Sequence, residues 1–237
     1  MRIHAPGRRT STYVPARKNS HIPPSGARLR SKRVLVAGKE AEAQTDGMRE
    51  RLLRAAAEVI QEGGWGAASV VAIAERAGVA TGALYRHFPS KAELFAEVLR
   101  AVTQREVGAM RAAASATDNF AERFEAVVAT YASRALRNRR LAWALVYEPV
   151  DPLVDAQRLA YRRDYRENMA RLLRKGIKAG AILPQDVNLA AAAVVGVIAE
   201  TLVGPLSPVG DDHTSEQEIV EAIVAFCRRV VGLATQK

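Results

Sequence analysis

Apolar side chains recur every three to four residues along most of this chain after residue 46, and long stretches lack the alternation of half-buried strands. Leu52, Leu53, Ala56, Val59 and Ile60 form one face of a helix that Asp46 can cap. It runs to about Glu62, where Gly63-Gly64-Trp65-Gly66 ends it. Ser69 can cap a short helix carrying Ile73, Ala74 and Ala77, with Gly78 placed as its left-handed C-cap. A second short helix spans Thr81–His87 and stops at Pro89-Ser90. Ser90 and Glu93 have the spacing of a capping box, opening a long helix with Leu94, Phe95, Val98, Leu99 and Val102 on one side. Further helices are predicted near 120–136, 139–148, 152–178, 186–204 and 215–232, the last opened by a second box at Ser215 and Glu218. Asp186 can start the fourth of these, and Pro149, Pro152, Pro184, Pro205 and Pro208 all fall in the breaks. The pattern predicts an all-α protein with a compact unit over residues 46–92 and a helical domain over 93–237.

Nearly a fifth of the 237 residues are alanine, which strengthens the helical reading. One cysteine, Cys227, rules out a disulfide within the chain, suits a reducing cytoplasm and reads as packing. The formal charge of +10 is concentrated at one end: residues 1–46 hold ten Lys or Arg against three acids, so the rest is only mildly basic. Residues 1–45, rich in Pro, Arg, Ser and Gly, are expected to be a disordered basic tail. Three readings of it stay open: an arm that tracks DNA, a merely solvated tail, or a start placed upstream of a true one near Val34, Val36 or Met48. Its Arg-rich, acid-poor composition is also that of a transit peptide, but the rest of the chain offers no organellar context, and no apolar h-region marks it for secretion. The run from Leu189 to Ala199 carries no polar side chain yet is too short to span a bilayer, so no membrane partner is expected.

The helix at Thr81–His87 is too short to be stable alone, because nucleation is costly and few hydrogen bonds repay it. Two short helices joined by a glycine-containing turn, here Gly78-Val79-Ala80, form a helix-turn-helix whose second helix enters the DNA major groove. Gly82 and Ala83 at its front allow close approach to the sugar-phosphate backbone, where free amides and the helix dipole favour a phosphate. Tyr85 and His87 can donate to phosphate oxygens, and Lys91 adds charge at the next helix start. Arg86 and Thr81 can reach base edges. Leu84, Phe88 and Val79 are the expected buried anchors. Ser69, Thr81, Gly82, Ala83, Tyr85, Arg86, His87 and Lys91 are thus the candidate DNA-facing residues; for Arg86 and Lys91 an ordinary surface charge is the competing reading.

The segment IAERAGVATGALYRHFPSKAELF resembles the DNA-binding signature of the TetR/AcrR family of bacterial repressors, with A-G-V, G-x-L-Y-x-H-F and S-K-x-x-L in register. The preceding helix and its Gly-Gly-Trp-Gly exit are similar too, so the resemblance covers residues 47 to about 95. It implies a cytoplasmic homodimer, a helical C-terminal domain with a small-molecule pocket, and ligand-induced release from a double-stranded operator. It also implies that Tyr85, His87 and Lys91 contact phosphates while Thr81, Gly82 and Ala83 lie at the groove. Two positions depart from the family pattern. Ala80 stands where a serine usually caps the recognition helix, so this cap is lost or shifted to Thr81, and Ala72 stands where an acidic residue is common. A missing cap costs about 1 kcal/mol.

In the last helix two apolar stripes run side by side, Ile219, Ile223, Phe226 and Val230 on one and Val220, Val224, Cys227 and Val231 on the other. So wide a face suggests one side packed inward and one against a partner. Ala192, Gly196, Ala199 and Val203 line an edge of the preceding helix that permits close approach. Two such helices per subunit would give a four-helix dimer interface, as in the resembled family; an ordinary buried hairpin is the alternative. Pocket candidates are Trp143, Tyr147 and Glu148 near one helix end, Arg158 with Arg162 and Tyr161 with Tyr165 at i,i+4, and Phe124, Val128 and Tyr131 as an apolar wall. Arginines there would favour a carboxylate or phosphate, for example an acyl thioester of coenzyme A, unless they simply pair with Glu148, Asp151 or Asp155. Glu200, alone in an apolar helix, needs a partner, either the ligand or the other subunit.

His4, His21, His87 and His213 lack metal-ligand spacing, and there is no G-x-S-x-G, phosphate-binding G-K-[ST] loop or G-x-G-x-x-G after a strand. No cofactor is expected. An enzyme and a ligand-independent DNA-binding protein remain the competing functions; turnover of a bound compound would mark the first, and operator affinity indifferent to any ligand the second.

Overall fold

In a computed structural model the described residues are 25–209 and 214–233, with side chains from residue 45 onward. The chain divides into two compact units, Met1–Thr45 and Asp46–Lys237. Helix α1 (Ser25–Ala67) begins inside the stretch expected to be disordered. No proline follows Pro24 until Pro89, and Ala, Leu, Arg, Lys and Glu supply good helix formers, so nothing local stops the helix earlier. Asp46 consequently lies within α1 and caps nothing, which corrects that expectation. The part of the expected tail before Ser25 lies outside the described residues.

The end of α1 follows the glycine signal. Gly64 has φ 74° and ψ −173°, a region essentially closed to any side chain, and this breaks the helix ahead of Trp65. Helix α2 (Val70–Ala77) starts at Ser69, whose hydroxyl accepts from the Ala72 amide at 3.0 Å. It ends at Gly78, left-handed at φ 65°, with the Gly78 and Val79 amides returning to Glu75 and Ala74 carbonyls at 3.0 and 2.9 Å. Helix α3 (Thr81–His87) and helix α4 (Lys91–Ala114) follow. The Ser90 hydroxyl accepts from the Glu93 amide, but the reciprocal half of the expected box does not form. Leu52, Ile60, Ile73, Leu84, Phe88 and Leu94 share one core, and the Arg49 guanidinium, paired with Glu97 at 2.7 Å, lies over the Phe88 ring.

The second core is built by α5 (Phe120–Arg137), α6 (Arg139–Val146), α7 (Pro152–Lys178), α8 (Val187–Thr201), a single turn α9 (Val203–Leu206) and α10 (Glu216–Val230). Asn119, Asp151 and Asp186 cap α5, α7 and α8 through side-chain oxygens, and Ser215 with Glu218 completes a true capping box on α10. Helix α4 packs on α5 and α7, α7 on α8, and α10 on α5 and α8. Cys227 is fully buried in this core, and burial pushes its thiol up to about 11. No helix among the described residues is long and apolar enough to cross a membrane.

Candidate functional site

The short helix α3 is held from beneath. Leu84 is wholly buried, Phe88 nearly so and Val79 partly, while Thr81, Gly82, Tyr85 and Arg86 face outward and His87 is half-buried. Tyr85 keeps half of its surface exposed. Arg76 binds Glu62 through two guanidinium nitrogens at 2.7 and 2.9 Å, tying α2 to α1. Lys91 sits at the first turn of α4 with its ammonium 5.0 Å from the centre of the Phe95 ring. Ser69 spends its hydroxyl on the α2 cap, so the structure shows it as a helix-capping group. Val71, the second residue of α2, is more than half exposed.

Ala80 occupies the N-cap of α3 in extended geometry with no side-chain hydrogen bond, so the cap is lost and not shifted to Thr81. Ala80→Ser is therefore expected to raise stability by about 1 kcal/mol, read as an upward shift of the thermal midpoint. An unchanged midpoint would mean that water already satisfies the free α3 amides.

The Gly64–Trp65 turn near the end of α1 is latched to α6 and the residues that follow it. The Trp65 indole N–H donates to the Ala144 carbonyl at 2.6 Å, and its backbone N–H donates to the Glu148 carboxylate at 2.9 Å. The ring packs on Phe95, centroid to centroid 4.5 Å. Arg140 is ion-paired with the same Glu148 carboxylate, and a Cβ at Gly64 would fall among these charged atoms. The sequence reading put Glu148 in the pocket; the structure puts it in this latch, because a backbone amide and an arginine both claim it.

Two chambers lie between α4, α5, α7 and α8. The outer one, about 620 Å³, carries Arg111, Arg123, Arg171 and Lys175 against a single acid, Asp118, over an apolar floor that includes Met110 and Leu172. The inner one, about 180 Å³, reaches α6 and is lined by Leu99, Thr103, Leu145, Arg158 and Tyr161 among others. Tyr131 and Tyr165 line both, their rings edge to face at 5.8 Å, so the aromatic pair forms the partition. Burial raises the pKa of both phenols, keeping them neutral hydrogen-bonding groups.

Of the expected pocket residues, Tyr131, Arg158, Tyr161, Arg162 and Tyr165 line these chambers. Phe124 and Val128 do not; both are completely buried in the second core, on the side of α5 turned away from the cavity. Trp143 and Tyr147 pack with tilted rings, centroids 4.9 Å apart, with the Tyr147 hydroxyl donating to the Ala199 carbonyl of α8 and burial pushing its pKa up to about 12. Neither lines a chamber. Glu200 is exposed and requires no ligand to offset burial. The outer cations were missed, although Tyr161, Tyr165, Asn168, Leu172 and Lys175 share one helical stripe on α7 that could have led to them.

On the expected interface helices, Ile219 and Ile223 are buried in their own core together with Cys227, which corrects their assignment. Phe226 remains 46% exposed and Val230 half-buried. On α8, Gly196 is exposed with nothing within 4 Å of where a Cβ would stand, and Ala192 and Ala199 are half-buried; Val203, expected on the same helix, is half-buried at the start of α9.

Comparison with known proteins matches two successive parts of the chain. The family model described as bacterial regulatory proteins, tetR family, matches residues 52–98, and that described as tetracyclin repressor-like, C-terminal domain, matches residues 117–231. The HTH-type transcriptional repressor KstR2 of Rhodococcus jostii (strain RHA1) is 35% identical over 150 residues, 61% of this chain and 72% of that protein. The HTH-type transcriptional activator FasR of Mycolicibacterium smegmatis is 40% identical over 86 residues, 36% of this chain and 39% of that protein. Among solved structures, the transcriptional regulator FadR from Bacillus subtilis in complex with stearoyl-CoA has the same fold, with TM-score 0.66 at 21% identity over 78% of this chain and 99% of that one.

Proposed function

This chain belongs to the TetR family of bacterial regulatory proteins, and we propose that it is a repressor that binds a palindromic operator as a homodimer and is released by an amphipathic anionic effector. It acts on chromosomal DNA in the cytoplasm and catalyses no reaction. The observation that carries the effector reading is the two-chamber cavity: four cations at a wide mouth, an aromatic partition, and a narrower apolar end against α6. An acyl thioester of coenzyme A has that polarity, with phosphates at one end and an acyl chain at the other. FadR, whose fold this chain shares, was solved with such a compound.

Release requires that the effector bind the DNA-incompetent state more tightly. A coupling of about 1–3 kcal/mol weakens operator affinity roughly 5- to 150-fold. The test is fluorescence anisotropy of a labelled operator titrated with the protein in the presence of stearoyl-, octanoyl- or glutaryl-CoA, with free coenzyme A as control. At least one thioester is expected to weaken binding within that range while free coenzyme A does not. Indifference to all of them would remove this effector class.

The dimer reading rests on α8 and α10. The exposed Gly196 edge lets a partner helix approach closely, and Phe226 on α10 offers an exposed apolar side chain. Two helices from each protomer then form the interface and set the two recognition helices on one face of the duplex. Gly196→Arg is expected to leave the chain helical, because the Cβ direction is open, and to convert it to a monomer in sedimentation. A G196R protein that still sediments as a dimer would move the interface elsewhere.

A further inference from the structure

The Ala144 carbonyl has two donors from different parts of the protein. Trp65 Nε1, from the turn between α1 and α2, lies 2.6 Å away, and Arg158 Nη2, from the wall of the inner chamber, lies 2.7 Å away. The Arg158 side chain is only 11% exposed, and its ion-pair contact is Asp155 at 3.8 Å, itself 59% exposed. Its Nε is buried without a hydrogen-bond partner. Burial lowers the pKa of this guanidinium, consistent with a charge that Asp155 and Glu148 together do not fully balance. The other cations of the chamber differ: Arg134 is committed to Glu106 through two nitrogens, and Arg162 is exposed at the rim.

We propose that Arg158 is a specificity-determining residue that reads a carboxylate at the far end of the effector's acyl chain and passes that contact to Trp65 through the carbonyl they share. This deepens the effector reading above and rests on the cavity being the effector site. A carboxylate binds a guanidinium best through two parallel hydrogen bonds. On Arg158 the edge with an unused donor pairs Nε with Nη2, so a carboxylate taking that edge shares Nη2 with Ala144 and pulls the guanidinium toward itself. The Arg158–Ala144 bond weakens, Trp65 becomes the stronger side-chain donor to that carbonyl, and a tie between α6 and α7 loosens. Trp65 sits in the turn that leads into the helix-turn-helix, which gives the contact a route to the DNA-binding surface. Arg158 acts on DNA only as a positioning residue. The effector class narrows accordingly to acyl thioesters whose chain ends in a carboxylate, the thioester's phosphates remaining among the outer cations.

The test uses the full chain carrying Trp143→Phe, which leaves Trp65 as the only tryptophan of the two. Trp65 emission is titrated with hexanoate and with hexanamide, probes of equal chain length that differ in charge at one end. Hexanoate is expected to shift the emission saturably at roughly tenfold lower concentration than hexanamide, the scale set by a hydrogen bond to a charged group. Arg158→Met is expected to erase that preference. Equal response to both probes, no saturable response to hexanoate, or a preference that survives R158M would each overturn the proposal. The probe comparison with Arg158 present stands by itself if R158M does not fold. If hexanoate is preferred but no thioester releases DNA, the thioester reading falls and Arg158 stands; if thioesters release DNA and the probes act alike, Arg158 falls alone.

Discussion

Replacing Gly82 with leucine is expected to abolish operator binding and leave the chain folded. Gly82 is exposed at the second position of α3, and nothing lies within 4 Å of the point where a Cβ would stand. The protein side of the change is therefore free of clashes, and leucine forms helix better than glycine by up to about 1 kcal/mol. The DNA side is where it fails. The α3 amides reach a phosphate only if the helix start comes within hydrogen-bond distance of the backbone, and a leucine side chain holds it off. Operator affinity in G82L should fall roughly 100-fold or more, to the level of non-specific binding. The pair of measurements is anisotropy on an operator duplex and a thermal melt followed by circular dichroism. A G82L protein with full affinity would mean that α3 does not enter the groove front first.

Gly64→Ala is expected to have the opposite character, a loss of stability. The backbone at φ 74° and ψ −173° is open in practice only to glycine, and forcing alanine into it costs about 1–3 kcal/mol. The added Cβ also meets the Arg140 guanidinium and the Glu148 carboxylate, which must move aside. Moving Glu148 removes the acceptor of the Trp65 amide, a further loss of about 1 kcal/mol. The sum, about 2–4 kcal/mol, should lower the thermal midpoint by roughly 5–15 °C in a chain of this size. A midpoint within a degree of the parent protein would show that the turn relaxes without strain. The two glycines thus separate what the fold needs from what DNA needs.

The helix-turn-helix was legible because its signals are local. Ser69, Gly78, Ser90 and the Pro89 break each act within a few residues, and the structure places all four at helix ends. Leu84 and Phe88 were legible as core because a helix of two turns has few ways to face. The second core was harder because sidedness there is set by how helices cross. Phe124 and Val128 share α5 with Tyr131, yet α8 and α10 claim the first two for the interior while the third reaches the cavity. The same ambiguity misplaced Ile219 and Ile223: a helix with two apolar stripes does not say which one its own domain takes. Glu148 went to the latch through a contact with Trp65 across 83 residues, a distance no local pattern encodes. At the start of α1 the error was compositional, since a basic, polar sequence without proline can also be helical backbone.

The decisive measurement is selection of bound fragments from the source genome by the full chain and by its G82L variant, at low and moderate salt. A short palindromic site is expected to be recovered by the full chain, lost by G82L, and bound less tightly as salt rises because phosphate contacts release counterions. Random fragments, or the same fragments recovered equally by G82L, would contradict that expectation and would assign DNA binding to the basic residues before 46.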